Sequence, residues 1–232
     1  MVDMSDDADE VSPPRRRTRL KAEARQAQIL AAALDLFGER GYWGTSLQDV
    51  AERCDFTVTG VLYHFGSKEG LLRALLDSRD RAYIQDLLSR RGDDASTYRL
   101  GETVSDVDMA TICRILVQLS VEDPARTRLY SRMENESTDP RHPAHDFFLR
   151  REQRLLDAYE VNVPDSVENA QACARMVMAL ISGLRVQWLR DPEGMDLLEL
   201  WDQVVAGIPI LRGGGAAADG GVVSSGAELP AE

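Results

Sequence analysis

Between Gly41 and Leu72 the chain reads GYWGTSLQDVAERCDFTVTGVLYHFGSKEGLL. Thr57, Thr59 and Gly60 are small, and the two threonines can hydrogen-bond; Tyr63 and His64 follow with longer donors, and Lys68 comes shortly after. These residue types on one short helix suit a nucleic-acid groove: small groups at the N-terminal end reach base edges. Tyr63 and His64 at the other end reach phosphates, with Lys68 at the amide-rich start of the next helix. The elements that must position them are legible around them. Thr45 is expected to cap a helix from about Ser46 to Arg53, with Gln48 completing a capping box and Leu47, Val50 and Ala51 forming its apolar edge. Cys54, Asp55 and Phe56 break that helix. Thr57 opens the second one, with Val58, Val61, Leu62 and Phe65 turned inward. Gly66 stops it, and Ser67 caps a third. Two short helices joined by a tight turn make a helix-turn-helix.

This pattern resembles the TetR-type transcriptional regulators. The resemblance rests on Ile29-Leu30-Ala31-Ala32-Ala33-Leu34 and Leu36-Phe37, on Gly41-Tyr42 followed by Thr45-Ser46, and on Leu62-Tyr63-His64-Phe65-Gly66-Ser67-Lys68-Glu69. One departure stands out: Asp55 occupies a turn position where the family usually has glycine. Asp tolerates a left-handed backbone better than most residues, so the turn is expected to survive with some strain. The resemblance implies an all-α protein, with an N-terminal three-helix DNA-binding domain and a larger helical ligand-binding and dimerisation domain. It adds Thr45 and Ser46 to the expected DNA contacts. It also implies a homodimer on a palindromic double-stranded DNA operator, acting as a repressor released by a small molecule whose identity is unknown.

Charge agrees with this division. The net charge is −12, but residues 15–73 hold ten Lys/Arg against seven Asp/Glu, a balance of +3 that leaves −15 for the remainder. The N-terminal part is therefore the nucleic-acid end, and the acidic remainder orients the encounter. Arg15, Arg16, Arg17, Arg19 and Lys21 read as a basic arm ahead of a first helix expected from about Lys21 to Arg40. Beside a helix-turn-helix, such an arm suits phosphate or minor-groove contact. Gln26, Ile29, Leu30, Ala33, Leu34 and Phe37 form that helix's inward face, with Tyr42 and Trp43 closing one side. Residues 1–14 read as disordered, 15–70 as the DNA-binding domain, 71–211 as the ligand-binding and dimerisation domain, and 212–232 as a flexible tail. No apolar run is long enough for a bilayer and no secretory leader is evident, which places the protein in the cytoplasm without membrane contact.

From Lys68 a stripe through Leu71, Leu72, Leu75, Leu76, Arg79, Tyr83 and Leu87 describes a helix long enough to join the two domains. Residues 90–101 read as a loop, and helical patterns resume from about Glu102. Asp123-Pro124 opens another helix to about Ser137, and Asp139-Pro140 and His142-Pro143 introduce the next. Methionines and aromatics on these helices are candidate ligand contacts: Met109, Cys113, Leu116, Tyr130, Met133, Phe147, Met176, Leu180 and Trp188. The last two helices, from about Val167 and from Leu197, are apolar on more than one face. In TetR relatives this final pair forms a four-helix bundle with its copy. Ala174, Val177, Ile181, Gly183, Leu184, Val186, Leu197, Trp201 and Val204 are therefore the expected dimer interface.

Catalysis is disfavoured. There is no GxSxG, no Gly-rich phosphate loop and no HExxH, and neither a cofactor nor a metal is expected. His142 and His145 lack a third ligand nearby. Cys54, Cys113 and Cys173 have no metal spacing and read as buried, reduced thiols. Two alternatives keep the DNA: an activator of the same fold, and a non-specific structural DNA-binding protein.

Overall fold

The computed structural model describes residues 14–91, 109–163 and 167–208, with the backbone alone for 14–21 and Arg91. The acidic N-terminal stretch, most of the expected loop around residues 90–101, the helix start at Glu102 and the C-terminal tail lie outside these residues, as do the side chains of Arg15, Arg16, Arg17, Arg19 and Lys21. All regular elements among the described residues are helices: α1 (Pro14–Arg40), α2 (Leu47–Arg53), α3 (Val58–Phe65), α4 (Lys68–Arg91), α5 (Met109–Glu122), α6 (Pro124–Glu136), α7 (His145–Glu160), α8 (Ala170–Arg190) and α9 (Leu197–Gly207). Local chemistry sets many of the boundaries. Asp123 accepts from the Arg126 amide with Pro124 at the first helical position, and Asn169 and Asp196 cap α8 and α9 in the same way.

α1 begins earlier than expected, at Pro14, so the basic run forms its first turns and is not an arm ahead of it. Proline is pre-organised for a first turn, and Arg and Lys are good helix formers, so nothing in the run halts the helix before Leu20. Within α1 the inward face also needs correction. Ile29, Ala33, Leu34 and Phe37 are buried, but Gln26 is exposed because the core ends one turn later.

Two apolar clusters divide the molecule. The first joins Ile29, Ala33, Leu36 and Phe37 of α1 to Tyr42, Val50, Ala51, Val61 and the Leu71–Leu76 turns of α4. It also takes in Leu129 and Met133 of α6 and Phe148 of α7, so the helix-turn-helix rests on helices far along the chain. α1 lies along α6. The second cluster gathers Tyr83, α5, the later part of α7, α8 and α9, with Trp201 fully buried. α4 crosses from one cluster to the other. Where they meet, Arg151 donates to Asp80 Oδ1 and Glu134 Oε1, each at 3.1 Å, and Arg154 donates to Asp80 Oδ2 at 3.2 Å. Burial opposes the Arg151 charge, but Glu134 and Asp80 outweigh it and hold its pKa above the ordinary arginine value. Tyr130 adds a bond from its hydroxyl to the Leu76 carbonyl at 3.1 Å.

Of the three thiols, all free, Cys113 and Cys173 are buried, but Cys54 is only half-buried and its Sγ–H points to the Val50 carbonyl. Asp55 has φ 55°, the one positive φ among described non-glycine residues. Its amide and that of Phe56 donate to Glu52 O and Ala51 O, which closes the turn. An L-residue is strained there, so Asp55→Gly is expected to raise stability by up to about 1 kcal/mol, net of glycine's greater unfolded-state entropy. Chemical denaturation would measure it. A midpoint that falls would show that the aspartate side chain stabilises the turn.

Candidate nucleic-acid interface

The start of α2 differs from expectation in a way that changes one site residue. Ser46 is the N-cap: its Oγ accepts from the Asp49 amide at 3.1 Å, and the Ser46 amide donates back to Asp49 Oδ2 at 2.7 Å. The Ser46 hydroxyl, which also donates to Asp49 Oδ2, and then the Ser46 amide hold the half-buried Asp49 carboxyl below the ordinary carboxylate range, with Arg40 at 3.3 Å adding to the effect. Gln48 is left out of the box and donates to Glu52. Thr45 is 2% exposed, and its hydroxyl is within hydrogen-bond distance of the Leu36 and Gly41 carbonyls at 3.2 and 2.9 Å. It ties α2 to the end of α1 and cannot reach DNA, so it leaves the list of contacts, while Ser46 stays exposed.

α3 is capped as expected, with the Gly60 amide donating to Thr57 Oγ1 at 3.0 Å. Val61 is fully buried, and Val58 and Phe65 are half-buried. Leu62, expected inside, is 38% exposed. The outward face is therefore Thr59, Leu62 and Tyr63, at helical spacing i, i+3, i+4, with Tyr63 86% exposed. That spacing was the available signal for Leu62. Gly60 is half-buried, and a β-carbon there would meet Phe56 Cδ1 at 3.1 Å and Thr57 Oγ1 at 3.3 Å. Its smallness serves the turn. His64 packs edge-on to Tyr63 at 5.4 Å between centroids.

Ser67 caps α4 through the Gly70 amide at 3.0 Å, and Gly66 ends α3 at φ 75°. Lys68 does not extend freely: its ammonium sits 4.1 Å above the Tyr42 ring, and burial lowers its pKa. Tyr42 itself is buried. Its hydroxyl donates to Glu69 at 2.8 Å and its amide to Glu136 Oε2 at 2.8 Å, which binds the helix-turn-helix to the end of α6. Burial, then Glu69, pushes the Tyr42 phenol pKa up. His142 lies against Tyr42 with its Nδ1 accepting from the Ala144 amide and Nε2 3.6 Å from Glu136. Burial lowers the His142 pKa against the opposing pull of Glu136. His145 Nδ1 pairs with the Ser137 carbonyl at 2.7 Å. Trp43, expected to close the core, is 64% exposed and touches Tyr42 and His142 only by ring contacts.

The expected ligand residues are dispersed. Met109, Cys113, Leu116 and Trp188 are spent in the second cluster and Met133 in the first, because soft and aromatic side chains fill cores. Met176 is exposed, Leu180 is half-buried, and Phe147 faces a separate surface depression beside Asp77 and Arg150. Only Tyr130 borders the cavity of about 470 Å³ that opens between α4, α5, α6, α7 and α8. Its other walls include Tyr83, Ser120, Arg126, Arg151 and Arg185, none of which was expected to contact a ligand. For Arg185 a signal existed: it interrupts the apolar run Leu184–Val186.

The expected interface on α8 and α9 is also divided. Ala174, Val177, Ile181, Leu184, Leu197 and Trp201 are already buried in the chain's own core and have no surface left for a partner. Gly183 is exposed, and Val186 and Val204 are half-buried. The open face of α8 is Ala172, Met176, Ala179 and Gly183. Among the described residues, no helix is long and apolar enough to cross a membrane.

Comparison with known proteins agrees with this architecture. Over 214 residues the chain is 28% identical to the HTH-type transcriptional regulator TtgR of Pseudomonas putida, covering 85% of this chain and 96% of that one. Its fold is similar to that of NalD, described as the secondary repressor of the MexAB-OprM multidrug efflux pump in Pseudomonas aeruginosa (TM-score 0.60, 22% identity, 83% of this chain and 96% of that one). FadR from Bacillus subtilis, solved in complex with stearoyl-CoA, is also similar (TM-score 0.60, 14% identity, 81% and 98%). Residues 29–75, which run from the α1 core to the second turn of α4, match the bacterial regulatory proteins of the tetR family, and the chain as a whole is similar to regulators of that type.

Proposed function

We propose that the protein is a DNA-binding transcriptional regulator that acts as a homodimer on a palindromic operator and is released from it by a small molecule. The observation that carries the reading is α3, whose exposed Thr59, Leu62 and Tyr63 stand on a helix fixed at both ends by Thr57 and Gly66. Residues 15–70 form the DNA-binding part, and 71–211 the ligand-binding and dimerisation part. Ser46, Tyr63, His64 and Lys68 hold the phosphates, the basic run from Arg15 to Lys21 adds phosphate or minor-groove contact, and Thr57 stands at the base-edge end of α3. Thr59 and Gly60 approach base edges, and Leu62 offers an apolar contact suited to a thymine methyl.

Two helices lead from the cavity to the DNA-binding part. α4 passes from Asp80 and Tyr83 at the cavity to Leu71–Leu76 in the first core. α6 passes from Tyr130 and Glu134 to Glu136, which holds the Tyr42 amide. A ligand that favours a different placing of these helices changes the spacing of the two α3 copies. Half-sites one helical turn apart are then no longer matched, and DNA is released.

The test begins with selection of bound DNA from a random pool, followed by measurement on single-base variants of the selected site. Thr59→Ala is expected to cost about 1–3 kcal/mol at one base pair of each half-site and little elsewhere. Tyr63→Phe is expected to weaken all variants alike. If Thr59→Ala lowers every variant equally, α3 does not read bases through that residue. A pool that yields no preferred sequence at physiological salt would mark a structural DNA binder.

A further inference from the structure

Arg126, Arg151 and Arg185 reach the same cavity from α6, α7 and α8, and their partners separate them into two kinds. Arg151 is neutralised by Asp80 and Glu134. Among the described residues Arg185 meets only uncharged acceptors: Nε donates to Ser120 Oγ at 2.7 Å, and Nη2 donates to the Leu116 carbonyl at 3.1 Å and the Tyr83 hydroxyl at 3.3 Å. Arg126 stacks 4.1 Å above the ring of the same Tyr83 and donates to the Leu119 carbonyl at 3.1 Å. Its one carboxylate neighbour, Asp123, stands 3.9 Å away, is 39% exposed and is shared with Arg79 at 3.8 Å. Two guanidinium groups thus converge on one buried tyrosine, one on its face and one on its hydroxyl, and among the described residues the only carboxylate paired with either is Asp123. Burial, and then the nearby charge of Arg185 among lesser causes, lowers the Arg126 pKa. Like charges brought together where water is scarce repel more strongly than at the surface, and an anion placed between them removes that cost.

We propose that this cavity binds a small organic anion, a carboxylate or a phosphate monoester, with its charged group between Arg126 and Arg185 and its body against Tyr83, Tyr130 and Val186. The proposal deepens the ligand-controlled reading above: it rests on that reading for the cavity's role, and on the arginines for its chemistry. Bidentate guanidinium geometry suits both oxyanions.

Calorimetric titration of the full-length protein with matched probes tests it: benzoate against benzamide, and phenyl phosphate against phenol. The anion of at least one pair is expected to bind about tenfold tighter than its neutral partner or better, as charge-assisted bonds require. The pair showing the preference distinguishes a carboxylate from a phosphate. Arg185→Gln and, independently, Arg126→Gln are expected to abolish that preference. Ser120→Ala removes a bond that steadies Arg185 but leaves its charge, and is expected to retain it. A role confined to bracing α8 against α5 would instead lower the melting temperature in Arg185→Gln and Ser120→Ala alike with no effect on anion preference. Equal binding within both pairs, no binding by any probe, or a preference that survives both arginine substitutions overturns the proposal. Anion binding that leaves operator affinity unchanged would refute ligand control while the anion site stands. Release of DNA by a neutral compound, with no anion preference, would do the reverse.

Discussion

Gly41→Ala is expected to destabilise the protein by about 2–4 kcal/mol, with most of the loss recorded at one hydrogen bond. Gly41 ends α1 with φ 79°, a conformation that costs a residue with a β-carbon about 1–2 kcal/mol. The new methyl group would also land on Oε1 of Glu136. That carboxylate must then swing away, and Oε2 leaves the Tyr42 amide it accepts from at 2.8 Å. An amide left unpaired there costs about 1–3 kcal/mol more. Only the second of these costs passes through Glu136, so Gly41→Ala should not incur it again once Glu136 has been truncated. Denaturant unfolding of Gly41→Ala, Glu136→Ala and the double variant should show the double costing at least about 1 kcal/mol less than the sum of the singles. Strict additivity would mean that the carboxylate does not latch the helix-turn-helix to α6. The same cycle measured on operator affinity would report how far this latch positions α3.

Gly183→Asp is expected to weaken the dimer by about a hundredfold or more while leaving the monomer folded. Nothing lies within 4 Å of a β-carbon built at Gly183, and aspartate is no worse a helix former than glycine, so α8 should tolerate the change within the chain. Against a partner's α8, however, the carboxylate would be desolvated and unpaired, a cost of about 3–5 kcal/mol. Sedimentation over a range of concentrations reads the shift. Operator binding should weaken in step, since a single α3 holds one half-site only. Gly183 also borders the cavity, so Met176→Asp, on the same open face but away from the cavity, serves as the second arm. Tight dimers from both variants would place the interface on another surface.

The sequence by itself determined the features whose causes are local. Thr57 capping α3, Gly66 ending it, Ser67 opening α4 and Asp123-Pro124 opening α6 depend on a few consecutive residues, and the structure has each where the residue types put it. The left-handed turn at Asp55 was legible only through the glycine that the resembled family usually carries there. All-helical architecture followed from periodicity, which identifies residues sharing a face.

Periodicity does not say which neighbour takes that face, and there the tertiary structure decided. Thr45 and Ser46 are equivalent as caps until the carbonyls of Leu36 and Gly41 capture the threonine hydroxyl and bury it. Leu62 belongs to the apolar pattern of α3, but Val61 fills the available core and leaves Leu62 on the surface. On α8 and α9 one set of apolar residues was read as an interface. α5 and α7 pack against those helices and bury six of the nine, which leaves Gly183, Val186 and Val204. The cavity is the extreme case: Arg126, Arg151 and Arg185 each look like surface charge in their own helices. Only the packing of α6, α7 and α8 brings three guanidinium groups together, because a site assembled from distant segments has no local pattern to announce it.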